Sequence, residues 1–256
     1  GAPSMGRTAG FDKAEHGLPE FALAEQAGFV FVSLEAEPPP INTWLGDFAD
    51  IHAPWPVEAM VTARRREFSV DCNWKAFAEV FNEYYHLPYV HPTSIDGTYN
   101  EPDEPESVTG AFATHFGTTE GTGGLLDGTQ EHMLPVIGEL SGRLRSGVRY
   151  SWLFPNTVVA LGSDAMWMYE IYPDGPDRCR CAQVVCFPQS TIDLDGFDVK
   201  SEAYYGRFDM ALSEDIPILE QQHAGMRSPF ARQGRFSYLE PSVASFARWY
   251  AERLLG

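Results

Sequence analysis

The chain has 256 residues, 44% of them hydrophobic, and its 36 acidic and 18 basic residues give a net charge of −18. This negative charge disfavours nucleic-acid binding, because phosphates would be repelled. No apolar run approaches the roughly 20 residues that span a bilayer and no apolar signal segment is visible, so we expect no membrane partner. The composition suffices for one large core or for a core with a small appendage, and nothing indicates a secreted disulfide framework, so we expect a cytoplasmic protein.

The N-terminal segment carries one strong strand pattern. Residues 28–34 read Gly-Phe-Val-Phe-Val-Ser-Leu and have apolar side chains on both faces, which predicts a well-buried strand. The run Pro38-Pro39-Pro40 follows and is typical of a boundary between units. We therefore divide the chain into residues 1–40 and residues 41–256.

Two histidines lie near the end of the next predicted helix. A strand is expected over 64–70, and a helix begins near Asn73. His86 and His91 are five residues apart, so on one continuous helix they would point roughly 140° apart, which is poor geometry for one metal ion. Pro88 disfavours helix at this point, so we expect the helix to stop near His86 and a turn to bring His91 back.

The middle of the chain reads as a loop over 97–106, a strand over 108–116 and a glycine-rich segment over 117–128 that is typical of a mobile lid. Further strands are predicted over 149–154, 157–161, 165–172 and 178–187. Cys179 and Cys181 lie two apart on the last of these and share a face, which favours small core side chains over metal ligands.

Helical periodicity dominates from 195 to 223 and from 241 to 254, with a kink or a new first turn expected at Pro217. Strands followed by helices predict an α+β fold in which an antiparallel sheet wraps around C-terminal helices. An acidic pair, Glu214 and Asp215, lies in the first of these helices, and by position either could supply a carboxylate.

Two imidazoles and one carboxylate form a set that suits an open Fe(II) site. The same ligand types also suit zinc, so a zinc hydrolase is an alternative. A third interpretation has no metal, with His86 and His91 as polar groups in the pocket of a ligand-binding protein.

The motif around the histidines is more specific than their spacing. Asn73-Trp74-Lys75, Glu83, Tyr85-His86 and His91-Pro92 resemble the mononuclear iron motif of Rieske-type non-haem iron oxygenases, the aromatic-ring-hydroxylating alpha-subunit family. The acidic segment from Glu214 to Glu220 and the ending around 234–237 and 246–250 are also similar to that family. The resemblance extends over almost the whole chain.

The resemblance implies a fold and a site. The fold would be the helix-grip (START/Bet v 1-like) fold, an antiparallel sheet with C-terminal helices. His86, His91 and Asp215 would bind Fe(II). Glu83 would link the iron site to the Rieske cluster of a neighbouring subunit in a homotrimer, or else orient an imidazole. Asn82 would hydrogen-bond near the iron, although a helix-surface amide fits its position equally well.

One part of the family pattern is missing. A Rieske [2Fe-2S] cluster needs a Cys-x-His and a Cys-x2-His pair, and this sequence has neither. Residues 1–40 resemble the C-terminal remnant of a Rieske domain and its linker, so we expect the cluster only in a full-length protein with a segment upstream. No Gly-x-Gly-x-x-Gly signature occurs, so electrons would come from a separate NAD(P)H-dependent reductase or ferredoxin.

The implied reaction uses O2 to hydroxylate an aromatic or other small organic substrate. A quaternary amine of the betaine or carnitine type, oxidised by a monooxygenase or demethylase, is the alternative. If Trp167 or Tyr169 faces the iron cavity, either substrate would fit, by ring stacking or by cation–π attraction. Arg143 or Arg149 in the pocket would instead indicate a carboxylate-bearing substrate.

Overall fold

The computed structural model describes residues 1–255. The strands are β1 (Ala22–Gln26), β2 (Phe29–Ser33), β3 (Met60–Val70), β4 (Phe112–Thr118), β5 (Gly147–Leu153), β6 (Thr157–Leu161), β7 (Met166–Pro173) and β8 (Cys179–Pro188). The helices are α1 (Ile41–Leu45), α2 (Phe48–His52), α3 (Trp74–Phe81), α4 (Leu87–Val90), α5 (Gln189–Ile192), α6 (Phe197–Met226) and α7 (Pro241–Leu255). None of these helices is long and apolar enough to cross a bilayer.

The main sheet is antiparallel and has the strand order β3-β8-β7-β6-β5-β4. Strands β4 to β8 each pair with the next strand along the chain, whereas β3 pairs with β8 and so forms the far edge. The chain between β3 and β4 must therefore pass from one edge of the sheet to the other. That connection contains α3 and α4, and with them both histidines of the motif. The predicted α+β fold is confirmed.

Alternation along the strands assigns side chains to the two faces of the sheet. On β5, Tyr150 and Trp152 lie in the clusters that contain residues of α6 and α7, whereas Leu153 lies in the cluster that contains α1 and α2. On β7, Trp167 and Tyr169 face α6 and Met168 faces away. The period of two follows from strand geometry, and here both faces are covered.

The two long C-terminal helices cover one face of the sheet. Phe208 of α6 stacks on Trp167 with a centroid distance of 4.8 Å, and Phe246 of α7 stacks on Trp152 at 4.0 Å. Both helices agree with the predicted spans. No new helix begins at Pro217, because α6 continues through it. Leu212 and Leu219, buried on either side of the proline, keep the helix packed there.

Three local expectations were wrong. Strand β2 is not well buried, because it pairs only with β1, and Val30 and Val32 are each 61% exposed. Helix α3 ends at Phe81, not near His86. The glycine-rich segment does not stand clear as a lid, because its residues 122–125 are buried and Gly124 lies against the ring of Tyr204.

The cysteines behave as core side chains. Cys179 and Cys181 are buried with their Sγ atoms 3.8 Å apart, and Cys72 lies 4.0 Å from Cys179. All three belong to the apolar cluster beneath α3 and α7. This agrees with their predicted role as small apolar side chains.

A buried histidine ties α2 to the sheet. His52 Nδ1 donates to the carbonyl of Phe48 at 2.6 Å, so its Nε2 is free to accept from the hydroxyl of Ser151, also at 2.6 Å. Burial lowers the pKa of His52 to about 4. The Phe48 carbonyl opposes that shift, and the charge of Arg149 adds to it. The folded protein therefore keeps this imidazole neutral at a pH where the unfolded chain would charge it.

We predict that this histidine contributes to destabilisation in acid. Because the folded-state pKa is depressed, its stability contribution is present above about pH 6.5 and is lost as pH falls towards 4, at up to about 1.4 kcal/mol per pH unit. His52→Asn should make the loss of unfolding free energy between pH 7 and pH 5 shallower. Urea unfolding at several pH values measures this, and an unchanged slope would contradict it.

Candidate metal centre

The two histidines lie at the two ends of the short helix α4, which follows α3 along the chain. Asn73 caps α3 by accepting from the backbone N–H of Lys75 at 3.1 Å, and buried Phe77 anchors that helix. The four-residue helix α4 follows, with Pro88 in its first turn, where a missing N–H costs little. His86 precedes α4 and His91 follows it, and their ring centroids lie 5.1 Å apart. A broken helix thus brings together two side chains that a continuous one would separate.

Each imidazole is held by a carboxylate. Glu83 accepts from Nδ1 of His86 and, through its other oxygen, from the backbone N–H of His86 at 3.1 Å. Glu214 accepts from Nδ1 of His91 at 2.7 Å and from the hydroxyl of Ser94 at 2.7 Å. An ionised carboxylate only accepts hydrogen bonds, so both Nδ1 atoms carry the proton. In the neutral rings, Nε2 therefore presents a lone pair.

Both Nε2 atoms point towards one oxygen of Asp215. The distance to Oδ1 is 3.0 Å from His91 and 3.6 Å from His86. This Oδ1 is buried and has no hydrogen-bond partner among the described residues. The ligand atoms of the three residues lie within 4.8 Å of one another.

This arrangement fits a metal ion. Two imidazole lone pairs facing an unpartnered carboxylate oxygen repel one another unless a cation lies among them. Burial acts to lower the pKa of His91, but the carboxylates of Asp215 and Glu214 outweigh it and raise the pKa. Without a cation, protonation relieves the repulsion, and a metal ion would displace that proton. Two histidines and one carboxylate are the donors of an open Fe(II) site.

The sequence-predicted residues are mostly brought together. His86, His91 and Asp215 converge, and Glu83 lies against His86 as expected. Glu214, the positional competitor of Asp215, lies on the Nδ1 side of His91 instead. Asn82 is not among the residues that line the cleft beside the cluster, and it is fully buried, so it is not a helix-surface amide either. It caps the end of α3, and its Nδ2 donates to the carbonyl of Ala78 at 2.8 Å.

A cleft opens beside the converging side chains. The cleft is small, with a cavity volume of about 60 Å³. Trp167 and Tyr169 line it, together with Tyr150 and Phe81. Burial raises the pKa of Tyr169 to about 12, so that ring remains neutral.

The two arginines considered from sequence lie elsewhere. Arg143 is exposed and pairs with Asp103, and Arg149 pairs with Glu106 at 2.7 Å on the other side of the sheet. The arginine that lines the cleft is Arg207 of α6, which sequence reasoning missed. One signal could have found it: Arg207 falls within the buried stripe of α6, beside Tyr204, Phe208 and Ala211.

Comparison with known proteins supplies the family. Residues 57–256 match the model of the ring hydroxylating alpha subunit (catalytic domain). The glycine betaine monooxygenase oxygenase subunit of Chromohalobacter salexigens is 25% identical over 276 residues, covering 96% of this chain and 61% of that protein. The chloroplastic choline monooxygenase of Beta vulgaris is 24% identical, covering 96% of this chain and 53% of that protein.

A solved structure agrees in fold. The structure of a quaternary ammonium Rieske monooxygenase, reported with insights into carnitine oxidation, superimposes with a TM-score of 0.76 at 18% identity. The match covers 98% of this chain and 67% of that one. The family match extends over well more than half of the present chain. The chain therefore belongs to the ring-hydroxylating oxygenase alpha-subunit family and contains the catalytic domain of that family.

Proposed function

We propose that His86, His91 and Asp215 bind one Fe(II) and that the protein carrying this domain is a terminal oxygenase. The observation that carries the proposal is the convergence of two Nε2 atoms on an Asp215 oxygen that has no other partner. The zinc and metal-free alternatives use the same residues, so metal content discriminates among the three. The family match favours iron.

Each group of the chain has a role in this proposal. Bound ferrous iron supplies the activation of O2 that inserts oxygen into an unactivated C–H bond. Glu83 and Glu214 hold the imidazoles in the tautomer that presents Nε2. Tyr150, Trp167 and Tyr169 form a wall that excludes water from the reacting carbon.

We further propose that Glu83 links the iron site to an electron donor across a subunit interface, without being reduced itself. The donor would be the [2Fe-2S] Rieske cluster of a neighbouring subunit in a homotrimer, supplied by a separate NAD(P)H-dependent reductase or ferredoxin. Two features support such an interface next to Glu83. The Glu83 side chain is 11% exposed, and the neighbouring aromatic residues Tyr85 and Tyr89 are 52% and 75% exposed. Exposed aromatic pairs are typical of interfaces.

A quaternary ammonium compound is the substrate class that we favour. The two relatives described above, each matching 96% of the chain, are named for glycine betaine and choline. Aromatic faces at Tyr150, Trp167 and Tyr169 form the surroundings that attract such a cation. Hydroxylation of an aromatic ring is the second candidate, since the same faces would stack on it.

The division at residue 40 also remains a proposal. The hairpin of β1 and β2 forms a sheet of its own, separate from the six-stranded sheet, and α1 begins at Ile41. Both features support residues 1–40 as the end of one domain with its linker and 41–256 as the catalytic domain.

The four free cysteines, all buried, suit the reducing cytoplasm that we propose as the location.

Removal of the carboxylate ligand should abolish iron binding. We expect about one Fe(II) per chain after anaerobic reconstitution, and almost none for Asp215→Ala, because two imidazoles alone leave the set incomplete. Inductively coupled plasma mass spectrometry measures the content. Asp198→Ala, an exposed carboxylate in the first turn of the same helix, is the matched control. Zinc in preference to iron, or full iron content in Asp215→Ala, would refute the proposed site.

Glu214 should behave as an orienting group and not as a ligand. Glu214→Gln keeps the shape but weakens the hold on His91 Nδ1, so we expect Fe(II) affinity to fall by about 10- to 100-fold, with full occupancy at excess iron. Competition with a chelator of known affinity measures this. Complete loss of binding at any iron concentration would instead make Glu214 a ligand.

Glu83→Gln should separate iron binding from electron supply. In the protein that also carries the [2Fe-2S] cluster, saturated with Fe(II), we expect cluster oxidation to slow by at least about tenfold, because the charged bridge is lost. Stopped-flow absorbance of the cluster reports that rate. An unchanged rate at equal iron occupancy would leave Glu83 with an orienting role only.

A further inference from the structure

We propose that Arg207 binds a carboxylate of the substrate, so that the cleft selects zwitterionic quaternary ammonium compounds over purely cationic ones. This inference rests on the proposed function and specifies its substrate class. The cationic end of the ligand would lie near Asp215 and Glu83, and its carboxylate would lie against the guanidinium.

Arg207 is a buried cation without an acidic partner. Its residue is 4% exposed, and no carboxylate oxygen among residues 1–255 lies within 4.0 Å of its guanidinium nitrogens. The chain has 36 acidic residues, so the lack of a partner is not due to a shortage of carboxylates. Buried charges are ordinarily paired, because an unpaired one loses its hydration without compensation.

The hydrogen-bonding capacity of Arg207 is largely unused. A guanidinium has five N–H donors. One terminal nitrogen donates to the hydroxyl of Tyr99, whereas Nε is buried with no partner. The Tyr99 hydroxyl also accepts from Tyr150 at 3.0 Å and donates to the carbonyl of Gly123 at 3.3 Å, so its own bonding is complete. The remaining donors match the two oxygens of a carboxylate.

Aromatic rings hold the guanidinium in place. Its carbon lies 5.6 Å from the Trp167 ring centroid, 5.8 Å from that of Tyr99 and 5.2 Å from that of Phe208. These contacts stabilise the cation and restrict its rotamers, so little conformational entropy would be lost when it binds an anion. They do not satisfy its N–H groups, which need oxygen acceptors.

The lining of the cleft therefore contains side chains of both charges. Arg207 and Asp215 both line it and lie eight residues apart on α6, which is about 12 Å of helix rise. A small zwitterion could extend between them. Without Arg207, no arginine or lysine would line the cleft to attract a carboxylate ligand, and the aromatic faces alone would favour a cation. The two possibilities thus predict opposite ligand preferences.

The first test needs no substitution. The chain, reconstituted anaerobically with Fe(II), is titrated by calorimetry with glycine betaine, glycine betaine methyl ester and choline. All three carry the same trimethylammonium group, and only the first carries a carboxylate. We expect glycine betaine to bind about 10- to 100-fold more tightly than the other two, as for a charged hydrogen-bonded pair. Equal binding, or tighter binding of the ester and choline, would overturn the proposal.

Two variants then assign the preference to Arg207. Arg207→Met keeps the stem without charge, and we expect glycine betaine to bind no more tightly than choline. Arg207→Lys keeps the charge without the planar fork, and we expect an intermediate preference. Arg64→Met is the matched control, since Arg64 pairs with Asp209 of the same helix but does not line the cleft. Equal weakening of all three ligands in Arg207→Met would indicate a structural role and overturn the proposal.

The test of the carboxylate site can be separated from the test of the proposed iron site. Fe(II) content is measured for every variant, and the titrations are repeated on the metal-free chain. A carboxylate preference in a chain that binds no iron would refute the oxygenase proposal and leave the anion site standing. Normal iron binding without a carboxylate preference would refute the anion site alone. If Arg207→Met fails to fold, the comparison of ligands on the unmodified chain still tests the carboxylate preference, and Arg207→Lys tests its assignment to Arg207.

Discussion

The arrangement on which the site depends is the meeting of two imidazole lone pairs with one carboxylate oxygen. His91 and His86 direct Nε2 at the buried Oδ1 of Asp215 from 3.0 and 3.6 Å. Such a cluster is unfavourable without a cation and persists only if the fold imposes it. The fold does so from two sides: Asp215 lies on a 30-residue helix packed on the sheet, and both histidines lie on a connection that crosses from one edge to the other.

The charges around this cluster are ordered in layers. The metal-facing group is Asp215, whereas Glu83 and Glu214 lie behind the imidazoles and fix their tautomers. Also lining the cleft, Arg207 is surrounded by aromatic rings and lacks an acidic partner among residues 1–255. In a chain of net charge −18, one buried cation without a counterion sets the polarity of the cleft. The aromatic wall of the cleft adds attraction for a cation without adding charge.

Sequence patterns predicted most of the elements because local physics is strong there. Alternation identified β5 to β8 to within about two residues, and helical periodicity identified α6 and α7. The sequence patterns failed where long-range contacts determine burial or the end of an element. Val30 and Val32 look buried from composition but are exposed, because β2 has only β1 as a partner. Helix α3 ends before the proline signal at residue 88, because Asn82 caps it and the chain turns before α4 begins.

By itself, the sequence determined the α+β class, the candidate iron ligands and the family resemblance, because spacing, periodicity and motif are local properties of the chain. Only the tertiary structure decided which acidic side chain faces the imidazole lone pairs. Glu214 and Asp215 are neighbours in sequence, but the helix turns about 100° between them, so one meets Nδ1 of His91 and the other meets Nε2. Likewise, the 36 acidic residues are scattered along the sequence, and only the folded structure determines which of them lie near a given arginine. A local sequence pattern therefore cannot show whether that arginine has a counterion.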